Sequence, residues 1–106
     1  MYMVEKTCAS DEAEEVLAHR LAETRAKAEK ATEELAERFR ERRKALRDWP
    51  SYQEPERRQA YIDLIAAHET MTLKIADMTT DRPSWEMSDR DFEAFLHRFR
   101  EARGAM

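Results

Sequence analysis

Glycine is almost absent from this sequence of 106 residues, in which Gly104 is the only one. Phosphate-binding loops and nucleophile turns need backbone positions with positive φ, which glycine adopts without strain. One glycine near the end of the chain cannot supply such a loop. P-loop, Rossmann and α/β-hydrolase architectures are therefore excluded.

Cysteine and long hydrophobic runs are scarce as well. Cys8 is the only cysteine, so the chain cannot form an internal disulfide, which fits a reducing compartment. No stretch free of Asp, Glu, Lys and Arg exceeds five residues, and the first ten residues lack the apolar core of a signal peptide. We expect a cytoplasmic protein with no membrane partner.

Charged residues, by contrast, make up 40% of the chain, whereas the apolar fraction of 42% is close to ordinary. Such a balance is typical of helices with wide solvated faces. A chain of this length can bury a modest core without metals or disulfides. We therefore expect an all-α fold and a single helical domain over residues 1–106.

The first helix is predicted to be long, because no proline or glycine occurs before Pro50. Ser10 or Asp11 can cap its start, and the helix should end near Asp48 or Trp49, since proline disfavours helical geometry in the residue before it. The prediction is a flexible leader over 1–10 and a helix over 11–48, about 57 Å long at 1.5 Å per residue. Its apolar seam has the alternating steps of a coiled coil and consists of Leu17, Leu21, Thr24, Ala28, Ala31 and Leu35.

Two further helices are predicted over 55–79, after a proline-containing turn, and over 88–103, with Ser88 as the N-cap. Much of the second helix is apolar, so it is predicted to be the most buried. Its stripe consists of Tyr61, Leu64, His68, Met71, Ile75 and Met78, widened by Ile65 and flanked by Ile62, Leu73 and Ala76. The third helix has an apolar face of Phe92, Phe95, Leu96 and Phe99. The expected fold is a long helical hairpin with a third C-terminal helix, either a three-helix bundle or a coiled-coil-like arrangement.

The helix lengths leave the oligomeric state open. A second helix of about 37 Å covers only the C-terminal two thirds of the first, so Val16, Leu17 and Leu21 are left uncovered. Either the third helix covers them in a monomer, or another chain covers them in a homodimer or an adaptor complex. These three residues form a possible second interface.

A basic block stands at the end of the first helix, where residues 38–48 carry six basic and two acidic side chains. The candidate partner-binding residues are Arg38, Arg40, Arg42, Arg43, Lys44, Arg47, Trp49 and Tyr52. Guanidinium groups along a helix suit phosphates, and nearby aromatic rings can stack on bases. The alternative is a solvated helix end, where the macrodipole favours cations and where Glu34 and Glu41 pair with Arg38 and Lys44.

Catalytic and metal chemistry are only weakly indicated. We expect His68, which is surrounded by apolar positions, to be a half-buried core histidine. The serines fall at helix starts or turns, where capping explains them. Two Glu/His triplets have ligand-like spacing, namely Glu15, His19, Glu23 and Glu93, His97, Glu101, but such triplets are common in charge-rich helices. We expect no enzyme activity, no metal and no cofactor.

The function predicted from these features is a non-enzymatic helical protein-interaction module, an adaptor or scaffold whose protein partner is a second copy or a different protein. One alternative is a nucleic-acid-associated accessory protein that uses the basic block of residues 38–47. Another is a small acidic inhibitor of the phage or plasmid type, whose Glu-rich N-terminal half occupies a basic groove of a host nucleic-acid enzyme.

Overall fold

The computed structural model describes the backbone of residues 2–104 and the side chains of residues 11–104. It contains three α-helices, α1 (Tyr2–Asp48), α2 (Pro55–Ile75) and α3 (Asp89–Gly104), and a short 3₁₀ turn at Ser84–Glu86. No strand occurs in the part of the chain described. The prediction of an all-α fold is confirmed.

Helix α1 ends at Asp48, as predicted, but it begins at Tyr2 instead of residue 11. Upstream of Asp11 the sequence contains neither glycine nor proline, so nothing interrupts the helical hydrogen bonding there. The predicted leader over 1–10, including Cys8, lies outside the residues whose side chains are described.

The chain divides into two compact units, Met1–Ala31 and Thr32–Met106. In the first unit the described side chains of residues 11–30 are all exposed, and they belong to α1 alone. The second unit contains the rest of α1, both other helices and every buried residue of the described chain. The prediction of one domain is not tested by this division, because one helix by itself has no core.

In the second unit, α2 runs antiparallel to residues 32–48 of α1. The Trp49 ring stacks on the ring of Tyr61 with centroids 6.1 Å apart. Further along, Arg42 Nη2 lies 3.2 Å from His68 Nδ1. Tyr61 contacts Trp49, whereas the later residue His68 contacts the earlier residue Arg42. The two segments therefore run in opposite directions and form the predicted hairpin.

Helix α3 packs against the same segment of α1 through aromatic side chains. The ring of Phe39 meets Phe95 and Phe99 edge to face, with centroid distances of 5.5 and 5.3 Å. This geometry is favourable for aromatic pairs. The main core cluster comprises Ala36, Phe39, Leu73, Ala76, Met87, Phe92, Phe95, Leu96 and Phe99. The predicted apolar face of the third helix is therefore confirmed.

The start of α3 also follows its prediction. Ser88 Oγ accepts a hydrogen bond of 3.2 Å from the backbone N–H of Asp91, which satisfies one of the free donors at a helix start. Met87 and Phe92, on either side of this cap, are buried in the same cluster, as expected for a hydrophobic staple.

Helix α2 ends at Ile75, four residues before the predicted end. Asp77 adopts a left-handed conformation with φ 54°. Its N–H bonds to the Lys74 carbonyl at 3.1 Å, and the Met78 N–H bonds to the Leu73 carbonyl at 2.8 Å. This is a Schellman motif, which usually has glycine at the left-handed position. An aspartate there gives no comparable signal in the sequence.

The prediction for α2 is wrong about its burial and about most of its core stripe, although Ile65, which widened the stripe, and the flanking Leu73 and Ala76 are buried. Its core-facing residues are Ile65, Glu69 and Leu73, whereas Leu64, Met71 and Ile75 on the predicted core stripe are exposed. Helix α3 has four buried residues although it is the shorter helix, whereas α2 has three. Helix α2 is therefore not the most buried one. Apolar residues surround much of α2, and its sequence pattern therefore does not select one face.

Candidate protein-interaction surfaces

Arg43, in the middle of the basic block, is used inside the fold. Its side chain is 12% exposed and its Nη1 lies 2.7 Å from Asp89 Oδ1. Its Nη2 donates a hydrogen bond of 2.7 Å to the Met87 carbonyl. The guanidinium carbon also lies 4.9 Å from the centre of the Phe92 ring, within cation–π range. Arg43 therefore anchors the start of α3 and is not open to a partner.

Two other arginines of the block contact the same end of α3. Arg47 Nη2 lies 2.6 Å from Asp89 Oδ1, and Arg40 Nη2 lies 3.4 Å from Glu93 Oε2. Hydrogen bonds from Arg43 and then from Arg47 lower the pKa of Asp89 below its ordinary value. Arg40, Arg43 and Arg47 thus pair with acidic side chains near the helix start, where carboxylates are also favoured by the macrodipole.

The remaining cations of the block are freer. Among the residues described, Arg38 and Lys44 are exposed and have no ion-pair partner, so the predicted pairs with Glu34 and Glu41 are not formed. Arg42 makes its hydrogen-bond contact with His68, which is exposed and not half-buried as predicted. Three cations of the block therefore pair with acidic side chains of α3, whereas Arg42 contacts α2.

The two aromatic candidates also separate. Trp49 is partly buried, donates its Nε1–H to the Gln53 carbonyl at 2.8 Å and stacks on Tyr61, so it holds the turn between α1 and α2. Tyr52 is 85% exposed. Only Tyr52 of this pair presents its ring to solvent.

An exposed apolar stripe on α2 was not expected as a surface. Leu64, Met71 and Ile75 are each more than half exposed, and the exposed His68 lies between them. Positions 64, 68, 71 and 75 follow steps of four and three, so they share one face of the helix. The periodicity was visible in the sequence, but it pointed equally well to a core face.

A shallow groove runs beside this stripe, between α1 and α2. Its lining consists of Leu35, Arg38, Phe39 and Arg42 from α1 and His68, Met71 and Thr72 from α2. The volume of about 210 Å³ is below the 300–1,000 Å³ that is usual for small-molecule sites. The groove suits side chains of a partner better than a bound metabolite.

The second candidate interface lies in the first unit. Val16, Leu17 and Leu21 are each more than half exposed. In the second unit, Arg100 Nε of α3 donates a hydrogen bond of 2.7 Å to Glu33 Oε1 of α1.

A buried carboxylate that the sequence pattern did not indicate links α2 to the 3₁₀ turn. Glu69 accepts hydrogen bonds from the Ser84 hydroxyl and, at 3.5 Å, from the Ser84 backbone N–H. Burial raises the pKa of Glu69, while the Ser84 hydrogen bonds and the charge of Arg42 oppose that rise. The available signal was the position of Glu69 midway between the buried Ile65 and Leu73.

The His residues of the two Glu/His triplets form local pairs. His19 Nε2 lies 3.0 Å from Glu23 and His97 Nε2 lies 3.1 Å from Glu101. Within residues 11–104, no three His, Cys, Asp or Glu side chains converge as a metal site. No helix in the described part of the chain is long and apolar enough to cross a membrane.

No protein-family model, curated protein or solved structure matches the chain.

Proposed function

We propose that this protein is a non-enzymatic helical protein-interaction module, an adaptor or scaffold. The observation that supports the proposal most strongly is the exposed stripe of Leu64, Met71 and Ile75 on α2. Scattered apolar residues are normal on protein surfaces, whereas apolar residues aligned on one helix face are the pattern by which helices recognise helices and grooves.

The apolar area of this stripe is energetically significant. Full burial of a Leu, Ile or Met side chain contributes about 1.5–3 kcal/mol, so covering the exposed parts of these three contributes about 3–5 kcal/mol before the cost of association. Arg38 and Arg42 border the stripe across the groove, and arginine is among the residues that most often dominate binding energy at interfaces.

The nucleic-acid alternative has less support. Three of the six cations in the basic block pair with Asp89 or Glu93, so the positive charge available to phosphates is smaller than the sequence suggested. The acidic-inhibitor alternative is compatible with the exposed carboxylates of residues 11–15, but no contact in the structure favours a nucleic-acid enzyme as its target.

Site-specific photocrosslinking tests the proposal. A benzophenone amino acid replaces Met71 in the full-length protein, and in a matched control it replaces Ala94, which is exposed on α3. After irradiation in lysate of the cells that produce the protein, we expect discrete protein adducts from position 71 and not from position 94. Absence of any adduct specific to position 71, including one with a second copy, would refute the proposed function.

A further inference from the structure

The groove between α1 and α2 has a positively charged rim. Arg38 is exposed and has no ion-pair partner among the described residues, whereas Arg42 is half-buried, contacts His68 Nδ1 at 3.2 Å and interacts electrostatically with the buried Glu69. Glu34 and Glu41, one helical turn to either side of Arg38, are both farther than 4 Å from its guanidinium. The groove therefore combines apolar contact area with the exposed guanidinium group of Arg38 and with Arg42, which His68 holds at the rim.

The same chain carries a segment with the complementary chemistry. Residues 11–15 contain four exposed carboxylates, none of which forms an ion pair in the described structure: Asp11, Glu12, Glu14 and Glu15. Val16, Leu17 and Leu21 follow them on the same helix and are more than half exposed. This segment thus presents carboxylates and apolar side chains, and the groove presents arginines and apolar side chains that complement them.

The spacing of the two sets also matches. Glu14 and Leu21 are seven residues apart on α1, as are Leu35 and Arg42 on the groove rim. Seven helical residues span about 10 Å and nearly two turns, so each pair lies on one helix face. A segment antiparallel to the rim can place Leu21 beside Leu35 and Met71 while Glu14 reaches Arg42.

We propose that the groove between α1 and α2 binds residues 11–21 of a second copy of this chain. This inference rests on the proposed function, because it names the partner of the same surface. The contact covers two exposed apolar sets at once and brings the carboxylates of residues 11–15 to Arg38 and Arg42. When each copy contributes its segment to the groove of the other, the assembly closes as a dimer.

Light scattering coupled to size exclusion tests the inference on the full-length protein at about 10 to 200 μM, a range that brackets weak self-association. We expect the mass to rise with concentration toward twice 12.6 kDa and not beyond it. Leu21→Glu and Met71→Glu should each shift the dissociation constant upward by about tenfold or more, since both bury a carboxylate in the contact. Ala94→Glu, an exposed position on α3, is the matched control and should leave the mass unchanged.

A charge exchange identifies the segment. Glu14→Arg or Arg42→Glu alone should weaken the dimer, and the double variant should restore it, because the pair is re-formed with opposite polarity. A monomer at 200 μM would overturn the inference, as would a dimer that depends on Met71 but not on Leu21. If the self-association experiment fails in one of these two ways but position 71 still forms photocrosslinks with another protein, the inference is overturned and the proposed function stands. The failure of the inference is therefore distinguishable from the failure of the proposed function. Circular dichroism of each variant confirms that its helices are intact.

Discussion

Replacement of Arg43 by alanine tests the conclusion that part of the basic block is structural. The substitution removes the hydrogen bond to the Met87 carbonyl and the contact with the Phe92 ring. Arg38→Ala is the matched control, because Arg38 belongs to the same helix and block but is exposed without an ion-pair partner among the described residues. The two variants change the net charge of the protein equally.

The size of the effect follows from these contacts. A hydrogen bond from a charged donor contributes about 1.5–3 kcal/mol, and a cation–π contact contributes about 0.5–2 kcal/mol. The bond to Asp89 adds little, since that carboxylate is 78% exposed and screened by solvent. We therefore expect Arg43→Ala to lower the free energy of unfolding by about 2–5 kcal/mol, which corresponds to about 10–30 °C in Tm for a domain of this size.

Thermal unfolding followed by circular dichroism, together with urea titration, measures both variants. Arg38→Ala should stay within about 0.5 kcal/mol of the parent protein. Equal stability of Arg43→Ala and Arg38→Ala would refute the reasoning, because it would mean that the paired side of the block does not hold α3.

Three further predictions concern the buried carboxylate, the end of α2 and the basic block. Because the pKa of Glu69 is raised, the folded state binds more protons than the unfolded state above pH 4.5. The parent protein should therefore gain stability relative to Glu69→Gln as the pH falls toward 4.5. A difference between the urea midpoints of the two proteins that stays constant from pH 5 to pH 8 would contradict this. Asp77→Gly should stabilise the protein by about 0.5–1 kcal/mol, because glycine adopts the left-handed conformation without strain. Ala67→Gly, at an exposed position within α2, should instead destabilise it by about 1 kcal/mol. Thermal melts compare the two variants, and a loss of stability in both would count against the Schellman motif. Fluorescence anisotropy with labelled duplex DNA should detect no saturable binding at about 150 mM salt, since half of the basic block already pairs with Asp89 or Glu93. Saturable binding that disappears in the double variant Arg38→Glu/Lys44→Glu would instead favour the nucleic-acid hypothesis.

The exposed surface of α2 shows how a periodic pattern can identify a helix without identifying its environment. The spacing of Leu64, Met71 and Ile75 predicted the helix correctly, but it predicted that the wrong face of this helix is buried. The neighbouring stripe of Ile65, Glu69 and Leu73 differs from it by one residue, a rotation of about 100°, and contains a carboxylate that any sequence argument would place in solvent. Burial of Glu69 is possible because Ser84, fifteen residues away, donates to it.

The candidate site was foreseen only in part. The basic block was visible as a local excess of arginine, but its division depends on Asp89 and Glu93, which lie more than forty residues later in the chain. No local feature of residues 38–47 distinguishes Arg43 from Arg42. Val16, Leu17 and Leu21 were identified from helix lengths alone, and each is more than half exposed.

The sequence by itself determined the helical class, the end of α1 at Asp48, the cap at Ser88 and the apolar face of α3, because each depends on backbone preferences or spacing within one helix. Tertiary structure alone decided which face of α2 is buried, which arginines are used to hold α3 and where the groove lies. These features depend on contacts between residues far apart in the chain. The packing of Phe39 against Phe95 and Phe99 brings together side chains whose proximity no local pattern encodes.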